Sequence, residues 1–388
     1  MRRVVSAVLA VMVAGSMLAW WSSKDTASDR VGSEPLVVEA CDGGGADDCV
    51  RSSITRVFES GGVDAAVGEF ERLASSSEQL RFNCHAWLHE IGELAGTYTD
   101  WSELPEVISI DCQGGLLHGV LQGVATRLDE NELQGFVNGF CAQRKAPADF
   151  TTEMMGTECA HGIGHALAVR LFPDVESAVS LCHPSGLTGQ EQQLCVGGVL
   201  MEVGYANLVV RGYASGEARV GFSGVDALRV VELCNSIRGD GSLFSECVSR
   251  WWMFAGPEIG DHPSRMYMEC IEKLSVGNPD ESGMPCARGV GSWAVQAAPR
   301  NSGDEPWSPY VARYASACNS LPGSAAGWCF YQLVQIVLVP ALTAQSGSEE
   351  LPDVCASARS DARKLCQDGT SVSREMSGLG EDAFMNQS

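Results

Sequence analysis

The sequence predicts an all-α fold of disulfide-stapled helical-hairpin repeats. Closed, they would form an α/α toroid; open, a tetratricopeptide-like superhelix. Three observations predict this. Cysteines pair across short polar loops. The second cysteine of each pair recurs at the period of helical-hairpin arrays. The apolar segments show little period-two alternation and repeatedly carry glycine near their start.

Taken in order, the chain opens with Met-Arg-Arg and the 18-residue apolar run Val4–Trp21. A basic start followed by such a run is an export signal. Residues 1–21 are expected to be a signal-anchor with the arginines cytoplasmic, and a cleaved signal peptide is the alternative. Either way the remainder lies outside the cytoplasm: at the cell membrane through a single pass, or secreted. Residues 22–40 are a polar, Ser/Asp-rich linker. Residues 41–366 form the helical repeat ectodomain. Residues 367–388 lose the apolar period and are expected to be a disordered tail.

The composition fits this plan. The chain is 45% hydrophobic and 19% charged, which is globular. A formal net charge of −23 without clustered Lys/Arg excludes nucleic acid as a partner. The N-terminal segment makes the membrane an expected partner, and the sequence names no small-molecule or protein partner. The 16 cysteines are even in number, and C-x2-C zinc spacing is absent, so disulfides are expected.

Six pairs are read across loops: Cys141/Cys159, Cys182/Cys195, Cys234/Cys247, Cys270/Cys286, Cys318/Cys329 and Cys355/Cys366. Their loops hold 17, 12, 12, 15, 10 and 10 residues, rich in turn signals such as Arg238-Gly-Asp-Gly241. From Cys112 on, the second cysteines are 47, 36, 52, 39, 43 and 37 residues apart. Each unit therefore reads as helix, stapled loop, helix. The pairing of Cys41, Cys49, Cys84 and Cys112 stays open.

Glycines recur at the start of the second helix: Gly114-Gly115, Gly162/Gly164, Gly197-Gly198 and Gly289/Gly291. Glycine costs about 1 kcal/mol inside a helix, so its recurrence points to close backbone packing. Gly115-Leu-Leu-His118-Gly119 and Ala160-His161-Gly162-Ile163-Gly164 resemble the inner-helix motifs of the lanthionine-synthetase cyclases. The resemblance implies the toroid architecture. It carries no activity over, because that family's zinc thiolates have no counterpart among cysteines read as paired.

Function is written in the histidines. The chain has seven, and five fall in three related stretches. These are Cys84-His85-Ala-Trp-Leu-His89-Glu90, Cys112-Gln-Gly-Gly115-Leu-Leu-His118-Gly119 and Cys159-Ala-His161-Gly-Ile-Gly-His165. Residues four apart on a helix share a face, so His85/His89 and His161/His165 are each presented together. His118 and His165 both lie six residues past a second cysteine, where later units carry Met201, Met253, Ser292 and Gln335. One i, i+4 pair alone would be an ordinary packed pair. Two pairs and a fifth histidine in one grammar predict a metal site built from His85, His89, His118, His161 and His165. An imidazole set suits a transition metal, here copper or zinc. Glu93 continues the His85/His89 face as a further possible ligand. Glu90, beside His89, is the expected general base. His183 is a candidate sixth imidazole, whereas His262, Met201 and Met253 read as incidental or core-filling.

Several chemistries find no pattern. H-E-x-x-H fails because Glu93, not histidine, ends the motif. No C-x-x-C-H haem attachment, nucleophile elbow, P-loop or dinucleotide fingerprint is present. The expectation is an extracytoplasmic metal-binding repeat protein acting as a copper or zinc metalloenzyme, oxidoreductase or hydrolase. The alternatives are metal delivery without catalysis and a scaffold for protein partners.

Overall fold

Helices start where the sequence supplies a cap. In the computed structural model, Asp129 accepts from the Asn131 and Glu132 N–H groups, while Glu132 accepts from the Asp129 N–H. Thr188 and Glu191 repeat this reciprocal box. Asp226 and Asp240 cap the two helices that come after them. Each such cap contributes about 1 kcal/mol.

The described residues run from 46 to 376, less 78–79, 81–83, 100–103, 105–107, 110, 147–150, 184–186, 213–217, 223, 261, 276–278, 297–307 and 345–353. The expected signal-anchor, the linker and Cys41 lie outside them. Contacts divide the chain into Met1–Cys49 and Val50–Ser388. From Val50 on, the described residues belong to the second unit.

Among the described residues every regular element is a helix. They are α1 (Ala46–Ala74, broken at Gly62), α2 (Cys84–Tyr98), α3 (Asp111–Ala125), α4 (Glu130–Gly139), α5 (Thr152–Leu171) and α6 (Val175–Ser180). Next come α7 (Gly189–Val210), α8 (Ala227–Ser236), α9 (Gly241–Arg250), α10 (Trp252–Ile259), α11 (Pro263–Leu274) and α12 (Pro279–Gln296). Last are α13 (Ser308–Asn319), α14 (Gly323–Ala344) and α15 (Arg363–Met376), with short 3-10 turns at Cys141–Gln143 and Val354–Ser357.

All six cross-loop pairs are disulfides, with Cα separations of 5.3 to 5.8 Å. A seventh, Cys84–Cys112, ties α2 to α3, and Cys49 is also disulfide-bonded. No described cysteine is free. Closing a loop of this length stabilises by about 3 kcal/mol through the unfolded chain. Such density of disulfides points to an oxidising, extracytoplasmic environment.

The helix holding each second cysteine packs on the next one of its kind. In sequence α3 contacts α5, α5 contacts α7, α7 contacts α9, α9 contacts α12, α12 contacts α14 and α14 contacts α15. Helix α2 lies against α3, and α14 also touches α3. Between these helices sits a core led by Trp251, Trp293, Phe136, Phe244, Phe254 and Phe330. Helix α7 is long and apolar enough to cross a membrane by composition, yet 67% of its most apolar stretch is buried in the protein. It reads as a core helix.

One expectation needs correcting. Residues 367–376, expected to be disordered, are the body of α15. Ala362, Cys366 and Gly369 are buried at helical spacing, and the Cys355–Cys366 bond anchors the start. Three apolar positions are too few to register as a period, but one disulfide is enough to seat the helix. Residues 377–388 lie outside the described residues.

Candidate metal centre

Glycine brings the histidine helices into backbone contact. A Cβ at Gly115 would stand 2.5 Å from the His85 carbonyl oxygen, and one at Gly119 would overlap the His89 carbonyl oxygen. Across the next interface a Cβ at Gly198 would overlap the His161 carbonyl oxygen, and one at Gly164 the Cys195 carbonyl oxygen. Only a residue without a side chain permits such approach, which Cα–H···O contacts then favour. The glycines that looked costly in helices thus hold α2 on α3 and α5 on α7 at the level of the histidines.

The five sequence-predicted histidines converge. His118, on α3, is the hub. Its ring centroid lies 5.5 Å from His85, 6.4 Å from His89, 5.3 Å from His161 and 5.4 Å from His165. His89 and His165 are 6.1 Å apart, and His161 and His165 4.8 Å. His89, His118 and His165 are buried, while His85 and His161 are half-buried.

Hydrogen bonds fix which nitrogens face inward. The His85 Nδ1–H donates to the Cys112 carbonyl at 3.0 Å, and the His161 Nδ1–H to the Leu194 carbonyl at 3.1 Å. A carbonyl only accepts, so a neutral ring must carry its proton on Nδ1 and present a bare Nε2. His165 Nδ1 lies 2.8 Å from Glu202 Oε2 on α7. His118 is turned the other way: its Nε2–H donates to the Glu158 carbonyl at 3.1 Å, with Glu158 Oε2 at 3.4 Å. That leaves its Nδ1 bare, and like His89 Nδ1 it is buried without a hydrogen-bond partner. Burying such an atom unpaired costs about 1–3 kcal/mol.

The closest approach is His161 Nε2 to His165 Nε2, at 3.2 Å. With a proton on Nδ1 of each ring, two lone pairs would face one another there. The gap must hold one proton, released by Glu202 through His165, or a cation. It matches the roughly 3–3.5 Å between ligand atoms that lie about 2.0–2.1 Å from one ion. Among the described residues, no group of three or more His, Cys, Asp or Glu side chains is arranged to hold a metal ion.

Burial disfavours the protonated form of four of the rings. Burial, then the charge of His118, pushes His85 down to about 4. His89, His161 and His165 are held well below the ordinary histidine value, burial again being the main cause. Burial raises Glu202. Burial is the largest single influence on Glu158 and acts to raise it, but the hydrogen bond to His118 and the charges of His118, His161 and His85 together outweigh it and hold the carboxyl below its ordinary value. Neutral imidazole is the metal-binding form.

Around the rings runs a wall the sequence reading missed. Gln122 Nε2 donates to Glu202 Oε2 at 2.9 Å, and Arg219 Nη1 donates to Gln122 Oε1 at 3.1 Å. Arg219 also pairs with Glu93, so Glu93 faces a guanidinium. Gln122 could have been found, being four residues past His118. Glu158 stands beside Cys159 in the motif already quoted. Glu202 and Arg219 leave no spacing signal.

Other expectations fall elsewhere. Glu90 does not face the rings: it takes two hydrogen bonds from Arg51, at 2.9 and 3.0 Å, on the outer side of α2. One residue past His89 is about 100° around the helix, which sends the side chain to another face. His183 is exposed, with Nδ1 donating to the Val179 carbonyl, and belongs to no ring cluster. Met253 packs in the core against Gly204. The chain matches no protein-family model, no curated protein and no solved structure, so the likeness to the cyclases gains no support from comparison.

Proposed function

We propose that the protein is an extracytoplasmic metalloprotein in which His85, His89, His118, His161 and His165 hold one zinc or copper ion. The observation that carries this reading is the 3.2 Å approach of His161 Nε2 to His165 Nε2 amid buried, unsatisfied nitrogens on His89 and His118. A cation at that point satisfies atoms that otherwise cost free energy. The carbonyls of Cys112 and Leu194 and the carboxylate of Glu202 support the rings from behind, as partners of metal-bound imidazoles do. Loading requires modest rotation of His89 and His118 toward the Nε2 pair.

The half-buried position of His85 and His161, against the buried His89, His118 and His165, favours an enzyme over a delivery protein. Such an ion acts as a Lewis acid or a redox centre. Glu158, ionised, accepts a proton there, the role the sequence suggested for Glu90. We further read the row from α3 to α14 as the inner layer of stapled repeats closed into a toroid, which the contact of α14 with α3 supports. Val4–Trp21 anchors the protein to the membrane in this reading.

Elemental analysis of the purified ectodomain tests it. One zinc or copper per chain is expected in the native protein, lost in the His161→Ala/His165→Ala double variant. A well-folded native protein that retains no transition metal on dialysis against zinc or copper buffers would overturn the reading.

A further inference from the structure

Past the histidines, the same row of helices carries a second polar cluster that includes a guanidinium with spare donors. On α9, Arg250 Nε donates to Glu246 Oε1 at 2.8 Å, and Glu246 is buried. On α12, Arg288 Nε donates to Gln332 Oε1 of α14 at 2.9 Å. The two Nη groups of Arg288 make no hydrogen bond or ion pair among the described residues. Arg288 stands two residues past Cys286, as His161 stands two past Cys159.

The two clusters are neighbours. The Glu246 carboxylate lies over Gly197, where a Cβ would be 2.5 Å from Oε1. The next residue, Gly198, packs on the His161 backbone. The charge of Arg250 opposes protonation of both His161 and His165. Two guanidinium groups share one carboxylate here, in a chain whose net charge is −23. Glu246 is hydrogen-bonded to Arg250 and reaches Arg288 only through its charge, while Gln332 fixes the plane of Arg288.

We propose that Arg288, oriented by Gln332 and with Arg250 behind it, binds the oxyanion group of a small ligand, a carboxylate or a phosphate, whose other end reaches the histidine cluster. A guanidinium with two free Nη groups is a planar fork that matches either oxyanion with paired hydrogen bonds. The oxyanion site stands on Arg288 alone; that its ligand is a substrate rests on the metal reading above.

Calorimetric titration of the full ectodomain with succinate and with inorganic phosphate, at constant ionic strength, tests this. Saturable binding of at least one is expected, weakened ~10-fold or more by Arg288→Met and also by Arg288→Lys, which keeps charge but loses the fork. The stronger of the two probes names the oxyanion. Circular dichroism checks that each variant folds; if Arg288→Met does not, Arg288→Lys and Gln332→Leu carry the test. Binding that is absent for both probes, or unchanged in Arg288→Lys, overturns the proposal. Metal content is measured on the same samples. Metal without anion binding sinks this inference alone, and anion binding without metal sinks the metal reading alone.

Discussion

Two ends of one row of helices make an instructive pair. At one end, α2, α3 and α5 bring five imidazoles together; at the other, α9, α12 and α14 hold Glu246, Arg250, Arg288 and Gln332. Both ends have the same staples, one disulfide from each second cysteine to the element before it. Both use glycine at the helix crossings. What differs is which residue stands at a few inward positions after the second cysteine. Two residues past it stand His161 at one end and Arg288 at the other; six past it stand His118 and His165 against Ser292 and Gln335. The difference separates scaffold from chemistry. Staples and glycines set the spacing anywhere in the row, and side chains at those registers decide what each stretch binds.

Acid should break the two ends apart most strongly. In the metal-free protein His85 is lowered to about 4, while the unfolded ring keeps a value near 6.5. The unfolded chain therefore takes up protons first as pH falls. The stability this ring contributes is complete above about pH 6.5, and is lost on the way down until it levels near the folded value. Between pH 6.5 and 5 that amounts to about 2 kcal/mol for His85 alone. His89, His161 and His165 shift in the same direction and add to it. Helices α9, α12 and α14 contain no histidine. Urea unfolding at pH 7 and pH 5 should show the loss, and His85→Gln should shrink it. Equal midpoints at the two pH values would mean the rings are not buried as neutral groups.

A glycine pair gives a smaller and sharper contrast. Gly119→Ala pushes a methyl into the His89 carbonyl, and neither backbone can yield without parting α2 from α3. Overpacking of this kind costs about 1–3 kcal/mol. Gly289→Ala, at the arginine end, meets the Ser249 carbonyl at 3.1 Å and the Trp252 ring at 3.3 Å. A shift of a few tenths of an ångström relieves that, and the helix-propensity gain of about 1 kcal/mol offsets it. Thermal melts of the two variants should differ clearly, with Gly119→Ala the less stable. Metal uptake should weaken in Gly119→Ala only.

How far this was legible depends on the same residues. The staples and the five histidines have fixed spacings, so helical geometry alone placed them. The glycines were legible as close-packing signals, though not which carbonyl each would meet. Glu202 lies 37 residues from His165 and Arg219 lies 97 from Gln122, contacts made by tertiary packing that no local pattern encodes. Arg288 was overlooked because an arginine in a helix is ordinary until its neighbours are seen to give two guanidinium groups a single carboxylate.

Glu90 marks the limit of reading by adjacency, and its removal gives the smallest effect. It is next to His89 in sequence and was the natural base, yet its carboxylate clasps Arg51 on the outer face, and the two side chains are 32% and 49% exposed. An ion pair so exposed contributes between zero and about 1 kcal/mol. Glu90→Gln should therefore lower stability by less than about 1 kcal/mol and leave zinc or copper affinity unchanged. Glu202→Gln is the informative partner. It keeps the shape of the wall, but an amide cannot supply the negative charge that strengthens His165 as a ligand. Loss of such a supporting carboxylate weakens metal affinity by about 10- to 100-fold. Competition titration of both variants against a zinc chelator reads the two effects on one scale. If Glu90→Gln weakened binding as much as Glu202→Gln, the outer face of α2 would have to belong to the site, and the division between the two carboxylates would be wrong.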